Sequence, residues 1–137
     1  MGVHIGVTYQ GDLRCLSIHG PSKDKLPTDA PADNQGKGEH FSPTDLLATA
    51  LGTCMLTTMG IVAKRHNIPF EKATASVEKE MGSQPRRHVS KVSVTIMMPV
   101  NVAEEHRSIL EHAAKTCPVT ESLSPNTEVV LSFSYPC

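Results

Sequence analysis

The chain has 137 residues and a formal net charge of −1, from 13 basic and 14 acidic side chains. This length predicts a single domain over residues 1–137, and the balanced charge argues against nucleic acid or an anionic membrane surface as a partner. With three Phe, two Tyr and no Trp, the core is expected to be mainly aliphatic.

The amino-terminal third combines a predicted hairpin with a long loop. Its first residues, MGVHIGVTYQGDLRC, lack the basic and apolar regions of a signal peptide, which predicts a cytoplasmic protein. VHIGVTY at residues 3–9 alternates apolar and small or polar residues, and LRCLSIHG follows a QGD turn as the returning strand. Residues 19–41 are rich in Gly, Pro and acidic residues, with at most a short extended piece near Leu26. A loop of this length in a compact domain is more often functional than idle.

A long helix follows, and both of its ends are marked. Ser42 is a candidate N-cap, Pro43 suits the first helical position, and Asp45 stands where a capping box requires an acid. The basic segment KRH and then Asn67 mark the end. The predicted helix has about 24 residues and is roughly 36 Å long.

The middle of this helix, LLATALGTCMLTTMGIVA at residues 46–63, contains no charged side chain. Its length would suit a membrane span, but its threonines, glycines and cysteine, together with the flanking strands, favour a soluble protein. A helix that is apolar all round is expected to be buried on all sides, at the centre of a globular domain or of a close dimer.

The remaining elements predict an α+β fold. FEKATASVEKEM and HVSKVSVTIMM alternate as two adjacent antiparallel strands, and residues 102–116 form an amphipathic helix. A short helix begins at Pro118, and TEVVLSFSY closes the chain as a strand. Antiparallel sheets packed with a long central helix are the expected architecture.

The four cysteines, Cys15, Cys54, Cys117 and Cys137, show neither a CxxC motif nor the spacing of metal ligands, so no metal site is expected. Cys54 on its own is most simply a small core residue. Cys117 precedes Pro118 and therefore lies at or near a helix N-terminus, where the helix dipole favours a thiolate. The two thiols could form a reversible pair, or both could be structural.

Two motifs, FSPTDLLATALGTCMLTTMGIVAKR and, about sixty residues later, AAKTCPVTESL, resemble the OsmC/Ohr family of osmotically inducible and organic hydroperoxide resistance proteins. The resemblance implies an intertwined homodimer with the cysteine helices at its centre. It also implies a thiol-dependent peroxidase for organic hydroperoxides, without a cofactor. Cys54 matches the peroxidatic thiol and Cys117 the resolving thiol, and an external dithiol, such as a lipoyl group, would reduce their disulfide.

In this family an arginine near the amino terminus activates the peroxidatic thiol and is held by a glutamate at the start of the cysteine helix. Arg14, in the second predicted strand, lies at about the matching separation and is the candidate; the alternative is that it is an exposed arginine of that strand. The glutamate position is Thr44 here, and the neighbouring acid is Asp45. Glu39 in the loop is either a substitute for that glutamate or a solvated residue.

This departure from the family pattern leaves a second hypothesis open, in which the protein does not catalyse a reaction. It would then be a stress or binding protein that holds an apolar small molecule at its dimer interface. A stable dimer with structural thiols is a third. Cys15 and Cys137 match no family motif and are given no role.

Overall fold

A computed structural model describes residues 1–136. The described chain divides into two compact units, Met1–Leu47 and the part that begins at Ala48. The single domain over residues 1–137 stays a prediction.

The first unit contains a three-stranded antiparallel sheet in the order β1 (Ile5–Gly11), β2 (Arg14–His19) and β3 (Lys25–Asp29). Asp12 and Leu13 form the turn between β1 and β2, with φ of 53° and 64°. Two left-handed central residues are typical of the tight turns that match the twist of a hairpin. The predicted hairpin is therefore confirmed, but Leu13 belongs to the turn rather than to the returning strand. Arg14 is consequently the first residue of β2.

The Gly- and Pro-rich segment after β3 is compact. A short 3₁₀ helix spans Ala32–Asn34, and the backbone N–H of Asp29 donates to the Phe41 carbonyl oxygen at 3.1 Å. A side chain at Gly36 would place its Cβ only 1.7 Å from the Ala30 carbonyl oxygen. The chain ends of this segment are thus tied together, and the extended piece predicted near Leu26 is β3.

Helix α1 spans Pro43–Arg65, 23 residues, close to the predicted length. The Ser42 N–H donates to Asp45 Oδ2 at 2.9 Å, and the Asp45 N–H donates to Ser42 Oγ at 3.0 Å. These reciprocal bonds confirm the predicted capping box, which gives two backbone N–H groups at the helix start an acceptor. Asn67 has a φ of 55°, as expected for the residue that ends a helix.

The second sheet has the order β4 (Thr74–Gly82), β5 (His88–Met97) and β6 (Glu128–Ser134). β4 and β5 are antiparallel, as predicted, but β6 runs parallel to β5. The expectation of purely antiparallel sheets is therefore wrong for this sheet. The reason is the connection: the chain between β5 and β6 passes through α2 (Glu104–Lys115) and α3 (Pro118–Ser122), and such a crossover is what allows neighbouring strands to be parallel.

Helix α1 buries only one of its faces in the chain. Gly52 lies against β4, since a Cβ at this position would come within 2.7 Å of Val77 Cγ2. On the other side of the helix, Leu47 and Ile61 are exposed and Cys54 is half-buried. The buried side comprises Ala48, Leu51, Gly52, Met55, Met59 and Ala63. The predicted burial on all sides is thus not met, because the second unit has only one sheet to place against this helix.

By length and composition α1 could also cross a membrane, with a hydropathy of 1.8 over its most apolar window. One such helix is weak evidence, because the core helices of soluble proteins have the same composition. The packing of Gly52 against Val77 shows that one face of α1 lies on a sheet.

Candidate functional site

Cys54 lies near the middle of α1, at the edge of its exposed face. Its side chain is half-buried and packs against the apolar core of the second unit. Sγ is 4.0 Å from the hydroxyl of Thr58, one helical turn further on. Cys54 is therefore a thiol with apolar neighbours on one side and an opening on the other.

Cys117 is the N-cap of α3, as the sequence predicts. Its Sγ accepts the Thr120 N–H at 3.4 Å and lies 3.1 Å from Thr120 Oγ1. The side chain is fully buried, with 0% exposure, and belongs to the same apolar core that Cys54 packs against. The role of Thr120 was missed, although a cap residue followed three positions later by a hydrogen-bonding side chain is a known signal for a helix start.

The cysteines of the described part of the chain are free. Cys15, Cys54 and Cys117 carry no disulfide, and Cys137 lies outside the described residues. Two free thiols therefore lie in or against one apolar core, and their roles as peroxidatic and resolving cysteines stay a prediction.

Arg14, the candidate activating residue, bonds two carboxylates of the first unit. Its Nε donates to Asp29 Oδ1 at 2.6 Å and its Nη2 donates to Asp29 Oδ2 at 3.0 Å. Nη2 also donates to Glu39 Oε1 at 2.6 Å. Glu39 thus contacts Arg14, and Asp29 is a further partner that sequence reasoning missed. Arg14 and Asp29 are directly opposite in the β2–β3 register, a signal that only correct strand pairing reveals.

The buried carboxylate of Asp29 is ionised because it is bonded to Arg14. The side chain of Asp29 is 2% exposed, and its pKa falls to about 2 because Arg14 bonds the ionised form. The pKa of Arg14 is raised, first by its bonds to Asp29 and then by its bond to Glu39. Both groups are therefore charged at neutral pH.

The two carboxylates that bond Arg14, from Asp29 and Glu39, precede α1 in the chain. The carboxylate of Asp45 closes the capping box with Ser42, and Thr44 Oγ1 lies 3.2 Å from Ser42 Oγ. The guanidinium instead obtains its carboxylates from β3 and from the segment that follows it. The pairing of Arg14 with Cys54 stays a prediction.

Within residues 1–136, no group of three or more His, Cys, Asp or Glu side chains is arranged to hold a metal ion.

Comparison with known proteins decides the family. The model of the OsmC-like protein family matches residues 36–132, well over half of the chain. The chain belongs to the OsmC-like protein family. Proteins of this family are typically soluble. A search of curated proteins found no match.

Solved structures of OsmC-like proteins have the same fold. A candidate osmotic stress induced and detoxification response protein from Psychrobacter arcticus is 45% identical, with 95% of this chain and 94% of that chain covered and a TM-score of 0.89. An organic hydroperoxide resistance protein OsmC from Legionella pneumophila is 18% identical, with 98% and 97% covered and a TM-score of 0.78. One from Elizabethkingia anophelis is 19% identical, with 99% and 97% covered and a TM-score of 0.79. At such low identity, the last two show the fold alone.

Proposed function

We propose that this OsmC-like protein is a thiol-dependent peroxidase that reduces organic hydroperoxides in the cytoplasm, as part of the defence against oxidative stress. Membership of the OsmC-like family supports a stress-related, peroxidase-like role. Some of the solved structures that this chain resembles are named organic hydroperoxide resistance proteins. The observation that supports the mechanism most directly is that Cys54 and Cys117, both free, share one apolar core.

In the first step the Cys54 thiolate attacks the outer oxygen of the hydroperoxide. A sulfur–oxygen bond forms, the O–O bond breaks, and the alkoxide takes up a proton and leaves as an alcohol. Cys54 is oxidised to a sulfenic acid. Apolar surroundings favour an alkyl or fatty-acid hydroperoxide over hydrogen peroxide, because only the organic substrate gains by burying a hydrocarbon group.

In the second step the Cys117 thiol condenses with the sulfenic acid, which releases water and forms the Cys54–Cys117 disulfide. This prevents further oxidation of Cys54 to a sulfinic acid. Cys117 must give up its hydrogen bonds to Thr120 to react, so we expect α3 to rearrange at this step. An external dithiol, such as a lipoyl group, then reduces the disulfide by thiol exchange and is itself oxidised to a disulfide.

Arg14 is the proposed cation that stabilises the Cys54 thiolate. The main argument for a binding protein without catalytic activity is that Thr44 stands where the family has a glutamate. The contacts of Arg14 with Asp29 and Glu39 weaken that argument, because they supply the carboxylates that hold the guanidinium. The reductase is therefore preferred over the binding protein.

A homodimer is proposed on the basis of exposed apolar surface. Ile61 on α1 is 52% exposed, and Ile5, Val7 and Tyr9 on β1 are also exposed. Exposed apolar side chains of this kind are typical of protein–protein contacts, and a second copy of the chain would cover them.

The test is the reduction of cumene hydroperoxide and of a fatty-acid hydroperoxide by the purified protein with dihydrolipoamide as reductant. We expect Cys54→Ser to abolish turnover. Cys117→Ser should still consume one equivalent of hydroperoxide but lose most of its turnover with the dithiol, and the matched control Cys15→Ser should keep its activity. Mass spectrometry after peroxide treatment should show a Cys54–Cys117 disulfide in the wild type. Failure to consume either hydroperoxide, with Cys54 also unreactive toward alkylating agents, would overturn the proposal.

A further inference from the structure

The two carboxylates that bind Arg14 differ in burial and in how they are held. We propose that Asp29 is a fixed positioning residue for the guanidinium, whereas Glu39 is a displaceable counter-ion that leaves Nη2 when a negative charge forms beside Arg14. The inference rests on the proposed function, in which Arg14 stabilises the Cys54 thiolate.

Asp29 is held at its backbone and at its side chain. Its register position opposite Arg14 places the two side chains side by side on neighbouring strands, and its backbone N–H bonds the Phe41 carbonyl oxygen. Oδ1 and Oδ2 both accept from the guanidinium, and Oδ2 also accepts the Glu39 N–H at 3.0 Å. A two-point contact with a carboxylate that is 2% exposed determines the plane of the guanidinium.

Glu39 is held much less firmly. Its side chain is 60% exposed, and its single contact with the guanidinium is the bond from Nη2 to Oε1. The backbone of Glu39 is tied to Asp29 through a different bond, from its own N–H. The carboxylate of Glu39 is therefore able to swing into solvent without releasing the loop.

The net charge around Arg14 depends on whether the Glu39 carboxylate is bound to it. One guanidinium cation with two carboxylates carries a net negative charge, which opposes the formation of a thiolate beside it. Departure of Glu39 leaves Arg14 neutralised by Asp29 alone and frees one N–H of Nη2 for a new acceptor. Arg14 then stays in place because Asp29 still holds it at Nε and Nη2.

Removing the charge of Asp29 and removing the charge of Glu39 should consequently shift the ionisation of Cys54 in opposite directions. If both acted only through charge, Asp29→Asn and Glu39→Gln would both favour the thiolate. If Asp29 positions Arg14, Asp29→Asn displaces the cation and disfavours the thiolate, while Glu39→Gln still favours it. This difference in sign separates positioning from simple electrostatics.

The experiment measures the alkylation rate of Cys54 by iodoacetamide as a function of pH, from the Cys54 peptide by mass spectrometry in the full-length protein. We expect Glu39→Gln to raise the rate at neutral pH about threefold to tenfold and to move the profile to lower pH. Asp29→Asn should lower it about tenfold or more and move the profile to higher pH. The kcat/KM for cumene hydroperoxide should change in the same directions.

Arg14→Ala provides the control background, in which neither substitution should change the alkylation profile further. The inference is overturned if both substitutions move the profile in one direction, if Asp29→Asn acts equally without Arg14, or if Arg14→Ala itself leaves the profile unchanged. Should Asp29→Asn fail to fold, an unchanged rate in Glu39→Gln overturns the inference by itself. A protein whose Cys54 shows the expected shifts but reduces no hydroperoxide overturns the proposed function instead.

Discussion

At the scale of single residues, the ion pair between Arg14 and Asp29 makes folding sensitive to acid. Asp29 has a pKa of about 2 in the folded protein, below the ordinary 3.8, because Arg14 bonds its ionised form. The unfolded chain therefore binds a proton at this residue more readily than the folded chain does. The stabilisation is fully present above about pH 4 and is lost as the pH falls toward 2.

Asp29→Asn tests this pH dependence. The wild type should have the larger free energy of unfolding near neutral pH, and the difference between the two proteins should shrink as the pH falls from about 4 toward about 2. Urea unfolding over this range measures it. Asp24→Asn, at an exposed turn of the same unit, is the matched control and should follow the wild type. A difference that stays constant with pH would show that the ion pair is not its source.

At the scale of elements, the packing of α1 on β4 depends on the absence of a side chain at Gly52. A Cβ there would lie 2.7 Å from Val77 Cγ2, closer than van der Waals contact permits. Valine has little freedom to move away because its branched side chain is stiff at χ1. At Gly60 a Cβ would meet only Phe70 Cδ2, at an ordinary 3.9 Å.

Two alanine substitutions in α1 should therefore have opposite effects. Gly52→Ala is expected to lower the free energy of unfolding by about 1–3 kcal/mol through overpacking. Gly60→Ala should raise it by up to about 1 kcal/mol, since alanine favours the helix. Chemical denaturation of both variants measures these changes. Adding Val77→Ala should restore part of the stability lost in Gly52→Ala, and no such recovery would contradict the contact as the cause.

At the scale of the whole molecule, the described chain leaves apolar surface exposed in both of its units. In the first unit this surface lies on β1, and in the second it lies on the side of α1 that carries Ile61. Cys54 lies on the same side of α1, which links the proposed dimer to the proposed reaction: a second copy would also shield the thiol from water.

Ile61→Lys tests the dimer. A charge placed in an interface core costs several kcal/mol when no partner neutralises it, so we expect the variant to be monomeric at micromolar concentration. Analytical ultracentrifugation measures the mass, and circular dichroism checks the fold, which should survive because Ile61 is half-exposed in the single chain. Ser108→Lys, at an exposed position of α2, is the matched control. A wild-type monomer, or a variant that dimerises equally well, would contradict the proposed interface.

Local signals predicted most of the elements. The capping box of Ser42 and Asp45, the left-handed Asn67 and the N-cap position of Cys117 all follow from short-range rules, because each involves bonds between residues at most four positions apart. The parallel pairing of β6 with β5 was missed. Alternation along a strand shows which residues share a face, but not the direction in which its neighbour runs.

The sequence by itself determined the α+β class, the family and the identity of the two core cysteines, because these depend on local patterns and on motifs that are specific in combination. Only the tertiary structure decided that Asp29 and Glu39 hold Arg14 and that α1 buries a single face. The physical reason is that ion pairs and burial depend on strand register and on close packing, which bring together residues far apart in the chain. Asp29 is 15 positions from Arg14 and Glu39 is 25, and no periodicity in the sequence reports either contact.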